Sequence, residues 1–192
     1  VSRPVVHEGL VELAAKGLIT MKPRNGAVVN DYRKEGSPAM LSSLLNYTNG
    51  ELAPTLLNSV LDMRRLMEVE FTGLAAKNRT PEQLDELKQI LAKEKNIDHS
   101  DSAKAAQLDF QFHHTIAMAS ENMVYPLILN SFRTFYTHLV QRFYSDRDVM
   151  VFVYGMHTRL VDAIEQKDAT TARALMEEMI DHGAAHLKKL LP

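Results

Sequence analysis

The 192-residue chain contains no cysteine. No disulfide supports it, and a reducing cytoplasm is the expected setting. It has no run of apolar residues long enough to span a bilayer and nothing that reads as a signal peptide, so no membrane partner is expected. It has no large excess of either charge: the formal net charge is −2, which argues against wholesale binding of polyanions. Internal repeats and low-complexity tracts are missing, and strand signals vanish after Met40. No P-loop and no Ser–His–Asp pattern occurs. None of the eight histidines has Glu three residues before it, the spacing that ferritin-like di-iron sites need.

What the chain does have is 45% hydrophobic residues, enough for one good domain and a fragment of another. The fragment is at the start, in VSRPVVHEGLVELAAKGLITMKPRNGAVVNDY. Ser2 ahead of Pro4 is a helix-start signal. Val5, Val6, Leu10, Leu13 and Ala14 recur at helical spacing, and Gly17 is placed to stop the helix. Leu18 to Lys22 and Ala27 to Asn30 are short β-prone runs around Pro23-Arg24-Asn25-Gly26, and Asn-Gly is a strong hairpin-turn signal. One helix and one hairpin cannot bury a core of their own, so residues 1–33 read as the back part of a small domain. They carry a basic excess: Arg3, Lys16, Lys22, Arg24, Arg33 and Lys34 against Glu8, Glu12 and Asp31 give residues 1–34 a net charge of +3 and leave the remainder at −5. A basic end on an acidic body suggests that only the end meets phosphate.

Residues 34–38, within the polar stretch Tyr32 to Pro38, read as a linker. Residues 39–192 read as an all-helical domain, with helices at about 39–48, 53–77, 81–96, 101–119, 122–144, 148–166 and 168–190. Thr80-Pro81-Glu82-Gln83 combines an N-cap, Pro at the first helical position and Gln three residues after the cap, a capping-box pattern. Short loops between long amphipathic helices imply an antiparallel bundle. The fold class is therefore mainly all-α, with a helix and β-hairpin ahead of the bundle.

In LDFQFHHTI, Asp109 and His113 are four apart and project from one helical face. The pair either shares a hydrogen bond at the surface of the bundle or grips one divalent ion. His157 lies on another helix, and His182 and His186 form an i,i+4 pair on the last one. Antiparallel helices bring such residues together in a bundle core. His7, His99, His114 and His138 have no such partner.

SRPVVHEGLVELAAKGLI followed by RNGAVV resembles the recognition helix and wing of GntR-type winged helix-turn-helix regulators. Their pattern is S-R-x-x-V-R-E-A-L-x-x-L-x-x-x-G-L-I and then a Gly-tipped wing. DMRRLMEVEFTGLAA (62–76), DFQFHHTIAMASEN (109–122) and HTRLVDAIEQKDATTARALM (157–176) resemble the helical, FCD-type effector domain of the FadR subfamily. The resemblance covers essentially the whole chain; two helices that precede this segment in the family are absent from it.

The resemblance implies a DNA interface at Ser2, Arg3, Pro4, Val5, His7, Asn25 and Gly26, with the helix in the major groove and the hairpin tip in the minor groove of double-stranded operator DNA. Ser2 and the helix start offer donors to a phosphate, Arg3 suits a phosphate or a guanine edge, and Gly26 lets the wing backbone come close. His7 departs from the family's Arg. In many members the effector domain holds a divalent metal through an Asp, a His four residues on and two later histidines. Asp109, His113 and His157 match three positions; the fourth falls on Met179, a poor ligand for zinc or nickel. His182, three residues further and about 4.5 Å along the axis, is the candidate replacement.

The expected protein is a bacterial, homodimeric transcription regulator that senses a small carboxylate or acyl effector. Arg64, Arg133, Asn130 and Tyr136 are the candidate effector contacts, because Arg offers a bidentate fork to an anion. The alternative is a metal-free acyl-CoA or fatty-acid pocket, since 121–144 resembles the corresponding FadR stretch. A bundle metalloenzyme using Asp109, His113 and His157 ranks well below both, because it leaves the Asn-Gly wing unexplained.

Overall fold

The computed structural model describes residues 1–41, 43 and 53–190. The chain divides into two compact units, residues 1–50 and 51–192. In the first, α1 (Arg3–Ala15) is followed by strands β1 (Ile19–Lys22) and β2 (Gly26–Val29), paired antiparallel from Ile19 opposite Val29 to Lys22 opposite Gly26. Helix α1 ends at Gly17, whose φ of +75° lets Leu18 N–H donate back to the Leu13 carbonyl at 3.0 Å, an αL stop that favours glycine.

Three local expectations are corrected here. Ser2 occupies the N-cap position of α1 without a side-chain cap bond, so its hydroxyl is left for another partner. The hairpin does not turn on Asn-Gly as a two-residue loop. Three residues, Pro23 to Asn25, connect the strands; Asn25 N–H donates to the Lys22 carbonyl at 3.0 Å and Arg24 takes the positive φ, 66°. Pro second and a left-handed residue third is the pattern of a type II turn, and Gly26, also at positive φ (82°), opens β2. The expected linker begins as a one-turn helix, α2 (Tyr32–Glu35), because the Asp31 carboxylate caps it by accepting from the Arg33 amide at 3.1 Å.

The second unit is the expected bundle: α3 (Pro54–Asn78), α4 (Pro81–Lys95), α5 (Ser102–Ala119), α6 (Val124–Phe143), α7 (Arg147–Glu165) and α8 (Ala169–Leu190). The helix expected at about 39–48 falls largely outside the described residues. Four of the others start where a side chain can satisfy the free N–H groups. Thr80 and Gln83 form a reciprocal capping box on α4, Asp101 caps α5 from 2.9 Å, Asp146 caps α7 from 3.0 Å and Asp168 caps α8 from 3.0 Å. Each such cap is worth about 1 kcal/mol. Helix α6 starts two residues later than the periodicity suggests, because Glu121 is left-handed (φ 61°) and the Asn122 side chain accepts from Val124 N–H in a turn.

Helix α3 packs on α8 and α5, α5 also on α4 and α6, and α7 on α4 and α8. Phe71, Leu87, Phe112, Ile116, Phe135, Leu160 and Met176 are fully buried between them, each contributing roughly 1.5–3 kcal/mol of transfer free energy. Into this apolar interior the sequence sends Glu68, Asp109, His113 and His157, all nearly or wholly inaccessible to water. Among the described residues no helix is long and apolar enough to cross a membrane.

Candidate metal centre

Burying four ionisable side chains in one core is costly unless they satisfy one another. Here they form a single network. Asp109 and His113 project from the same face of α5, and α7 supplies His157. One ligand atom from each residue lies within 4.8 Å of the others. Nε2 of His113 and Nε2 of His157 are each 3.9 Å from the same Asp109 oxygen, Oδ1. Two ligands about 2.1 Å from a common tetrahedral ion stand roughly 3.4 Å apart, so a small closure brings the three donors to coordination distance.

The residues behind these donors aim them. Nδ1 of His157 sits 3.0 Å from both carboxylate oxygens of Glu94 on α4, and Phe112 stacks on the ring with centroids 3.7 Å apart. Nδ1 of His113 lies against Oε2 of Glu68 on α3. Each imidazole thus has a carboxylate at one nitrogen and turns the other toward Asp109, the carboxylate–histidine arrangement typical of metal sites. Asp109 accepts from the Tyr144 hydroxyl at 2.7 Å and from the Tyr136 hydroxyl. Arg64 closes the ring: it donates to Tyr136 Oη at 2.8 Å and pairs with Glu68.

The electrostatics favour a cation. Three carboxyl side chains, Glu68, Glu94 and Asp109, surround the two imidazoles, and Arg64 is the one arginine among them, an arrangement that suits a further cation. Burial pushes the Glu68 pKa upward, but Arg64 and His113 outweigh it and hold that carboxyl at about 2. Burial disfavours a charged His157, yet Glu94 and then Asp109 prevail and raise its pKa above the ordinary 6.5. A place that draws a proton also draws a metal ion. Burial, with Asp109 close by, pushes both tyrosine hydroxyls well above their ordinary pKa, so they remain hydrogen-bond donors to Asp109. His157 Nε2 is buried without a hydrogen-bond partner, an orphan that coordination satisfies. The donor set fits a zinc- or nickel-class ion.

His182 does not join. It is exposed on α8 and stacks on Phe152, ring centroids 3.8 Å apart. Burial, then the neighbouring His186 and Lys189, lower its pKa. His182 is offset from Met179 by about 60° around the helix and about 4.5 Å along it, and that offset leaves Met179 buried and His182 exposed. Met179 is the residue that faces the centre. With Asp109, His113 and Arg64 it lines a cavity of about 30 Å³, room for a water molecule.

The four expected effector contacts divide. Arg64 and Tyr136 belong to the buried network, while Asn130 and Arg133 line a separate groove on the outer side of α5. Glu68 and Glu94 were not anticipated, because nothing in the spacing of one helix identifies the carboxylate that a distant helix places behind a histidine. In the first unit, Ser2, Arg3, Pro4, Val5 and His7 are all exposed at the start of α1, and Asn25 and Gly26 are exposed at the hairpin tip.

A family model described as FCD domain matches residues 59–182. The chain is 27% identical over 184 residues to the HTH-type transcriptional regulator LutR of Bacillus subtilis, covering 92% of this chain and 80% of that protein. It is 26% identical over 177 residues to the fatty acid metabolism regulator protein of Shewanella pealeana, covering 92% of this chain and 71% of that one. The solved structure of Streptococcus agalactiae GntR superposes with a TM-score of 0.61 at 20% identity, over 97% of this chain and 82% of that one.

Proposed function

Because the chain belongs to the FCD-domain, FadR-type branch of the GntR transcription regulators, we propose that its helical bundle senses a small organic acid at a centre formed by Asp109, His113 and His157 and so controls operator binding by residues 1–33. The carrying observation is the orphaned Nε2 of His157 beside Asp109 Oδ1, with carboxylates behind both imidazoles. The protein is a regulator and not an enzyme.

The chain's own residues divide the work. Glu94 and Glu68 hold the imidazole tautomers that leave Nε2 lone pairs facing the centre. Tyr144 and Tyr136 fix the Asp109 carboxylate, and the aromatic and aliphatic shell keeps bulk water out. A divalent ion held by Asp109, His113 and His157 would supply a Lewis-acid position for a carboxylate ligand. Arg64, bonded to Tyr136 and Glu68, is the cation that α3 contributes to this network. Differential binding of the acid to two arrangements of a homodimer then shifts affinity for a two-half-site operator.

A metal-free acyl effector is the second reading, supported by the apolar pocket that Val60, Met63, Met67 and Phe132 help to line. Its volume of about 30 Å³ falls far below the several hundred Å³ of ordinary ligand sites, so an acyl chain requires the bundle to open. The deciding measurement is elemental analysis of the purified protein beside His113→Ala. We expect a stoichiometric divalent transition metal in the wild type and its loss in the variant. A metal-free native protein that cannot be loaded, or occupancy unchanged by His113→Ala, removes the metal-dependent reading.

A further inference from the structure

Outside the buried centre, several arginines of the bundle pair with carboxylates: Arg65 with Glu177 and Asp181, Arg173 with Glu70. Arg133 on α6 does not. Its guanidinium lies over the Phe110 ring, 5.0 Å from the centroid, and among the described residues it has no acidic partner. Lys93 on α4 has none either. Both cations face one groove of about 360 Å³ that runs over α5 between α4 and α6, a volume suited to a small organic molecule.

The rest of the groove wall is polar and hydrogen-bonding. Asn130 and Gln111 contribute amides, and Glu86 contributes a carboxylate that accepts from Thr115 at 3.3 Å. His114 stacks on the Phe110 floor, centroids 5.8 Å apart, and its Nε2 is shielded from water without a hydrogen-bond partner. Two cations without an acidic partner, beside neutral amides, make a surface that is short of an anion. The single carboxylate, Glu86, sits where a hydroxyl donor is preferred to a second negative charge.

We propose that this groove is a second small-molecule site, distinct from the metal centre, that binds a small hydroxylated organic anion through its carboxylate or phosphate group. Arg133 and Lys93 bind the anionic group, and the amides and Glu86 read the hydroxyls. The groove also touches the centre's supporting network, since Phe110 packs edge-on against Tyr136 with centroids 5.5 Å apart, and Tyr136 donates to Asp109.

The test is an NMR titration of the full chain with glycerate and with glycerol 1-phosphate, each with and without EDTA. The His114 ring and the Asn130 and Gln111 side-chain amides are the reporters. We expect saturable shifts at these reporters that persist in EDTA. Arg133→Ala and Lys93→Ala, both at exposed positions, should each weaken binding about tenfold or more, the usual worth of a charged hydrogen bond. Response to one ligand alone identifies carboxylate or phosphate as the group read; response to both assigns the shared chemistry. Absence of saturable shifts with either ligand, abolition by EDTA, or equal binding by both variants overturns the site. The metal content is measured independently, so failure here leaves the reading of the buried centre intact.

Discussion

At the scale of single residues, the centre depends as much on the groups behind the ligands as on the ligands. Glu94 lies 3.0 Å from Nδ1 of His157, which leaves Nε2 to face Asp109. Removing it should not empty the site, but it frees the ring to rotate and lowers its basicity. Loss of such a supporting carboxylate typically costs 10–100-fold in metal affinity. We therefore expect Glu94→Ala to retain the helical circular dichroism spectrum and to bind zinc or nickel roughly 10–100-fold more weakly in a competitive chelator titration. Unchanged affinity shows that Glu94 has no supporting role. The three donors that the structure brings together were legible, since Asp109 and His113 carry an i,i+4 signature and His157 follows from the family pattern. Their supporters were not. Glu68 reads as one more acid on an amphipathic helix, and Glu94 as one member of an AKEKN tail. Only the packing of α3 and α4 against α5 and α7 gives them a role.

At the scale of elements, helix limits were legible wherever a cap is local chemistry, as in Thr80-Pro81-Glu82-Gln83, and illegible where tertiary placement decides. The four-residue α2 is too short to show a period, and it forms because Asp31 caps it. Its effect reaches back to α1. Gly17 ends α1 at φ +75°, and a Cβ there would lie 1.8 Å from the Glu35 carbonyl oxygen and 3.0 Å from Gly36 Cα. The end of α1 and the end of α2 are thus packed backbone to backbone, and glycine alone permits the approach. Gly17→Ala combines a left-handed Cβ penalty of about 1–2 kcal/mol with a clash that backbone cannot relieve cheaply. The expected outcome is loss of operator affinity with metal occupancy retained, because the bundle's ligands lie in the other unit. Wild-type operator binding by Gly17→Ala would show that α1 and α2 separate without consequence.

At the scale of the whole molecule, charge follows function. A net +3 over residues 1–34 accompanies −5 over the remainder, so attraction to DNA concentrates on the unit carrying α1 and the hairpin. This asymmetry was visible in the sequence and too small to decide anything alone; the structure leaves Arg3, Pro4, Val5 and His7 exposed on the first turns of α1. Arg3 is the only side chain of these with a fixed charge and a fork suited to a guanine edge or a phosphate. Arg3→Ala should cost roughly 1–3 kcal/mol of operator binding if the contact is bidentate to guanine. If the contact is to phosphate, the loss should instead be uniform across sequences, with a shallower salt dependence. Gly26 tests the hairpin independently. Its φ of +82° disfavours any other residue, and a Cβ there meets nothing within 4 Å, so the space around it is open for a partner's backbone. Gly26→Asp fills that space with a carboxylate, repelling phosphate and straining the first residue of β2 at once. Fluorescence anisotropy of an operator duplex, titrated at two salt concentrations, should show both variants weakened. If both bind like wild type, the DNA contact lies outside α1 and the hairpin, and only the sensing half of the proposal survives.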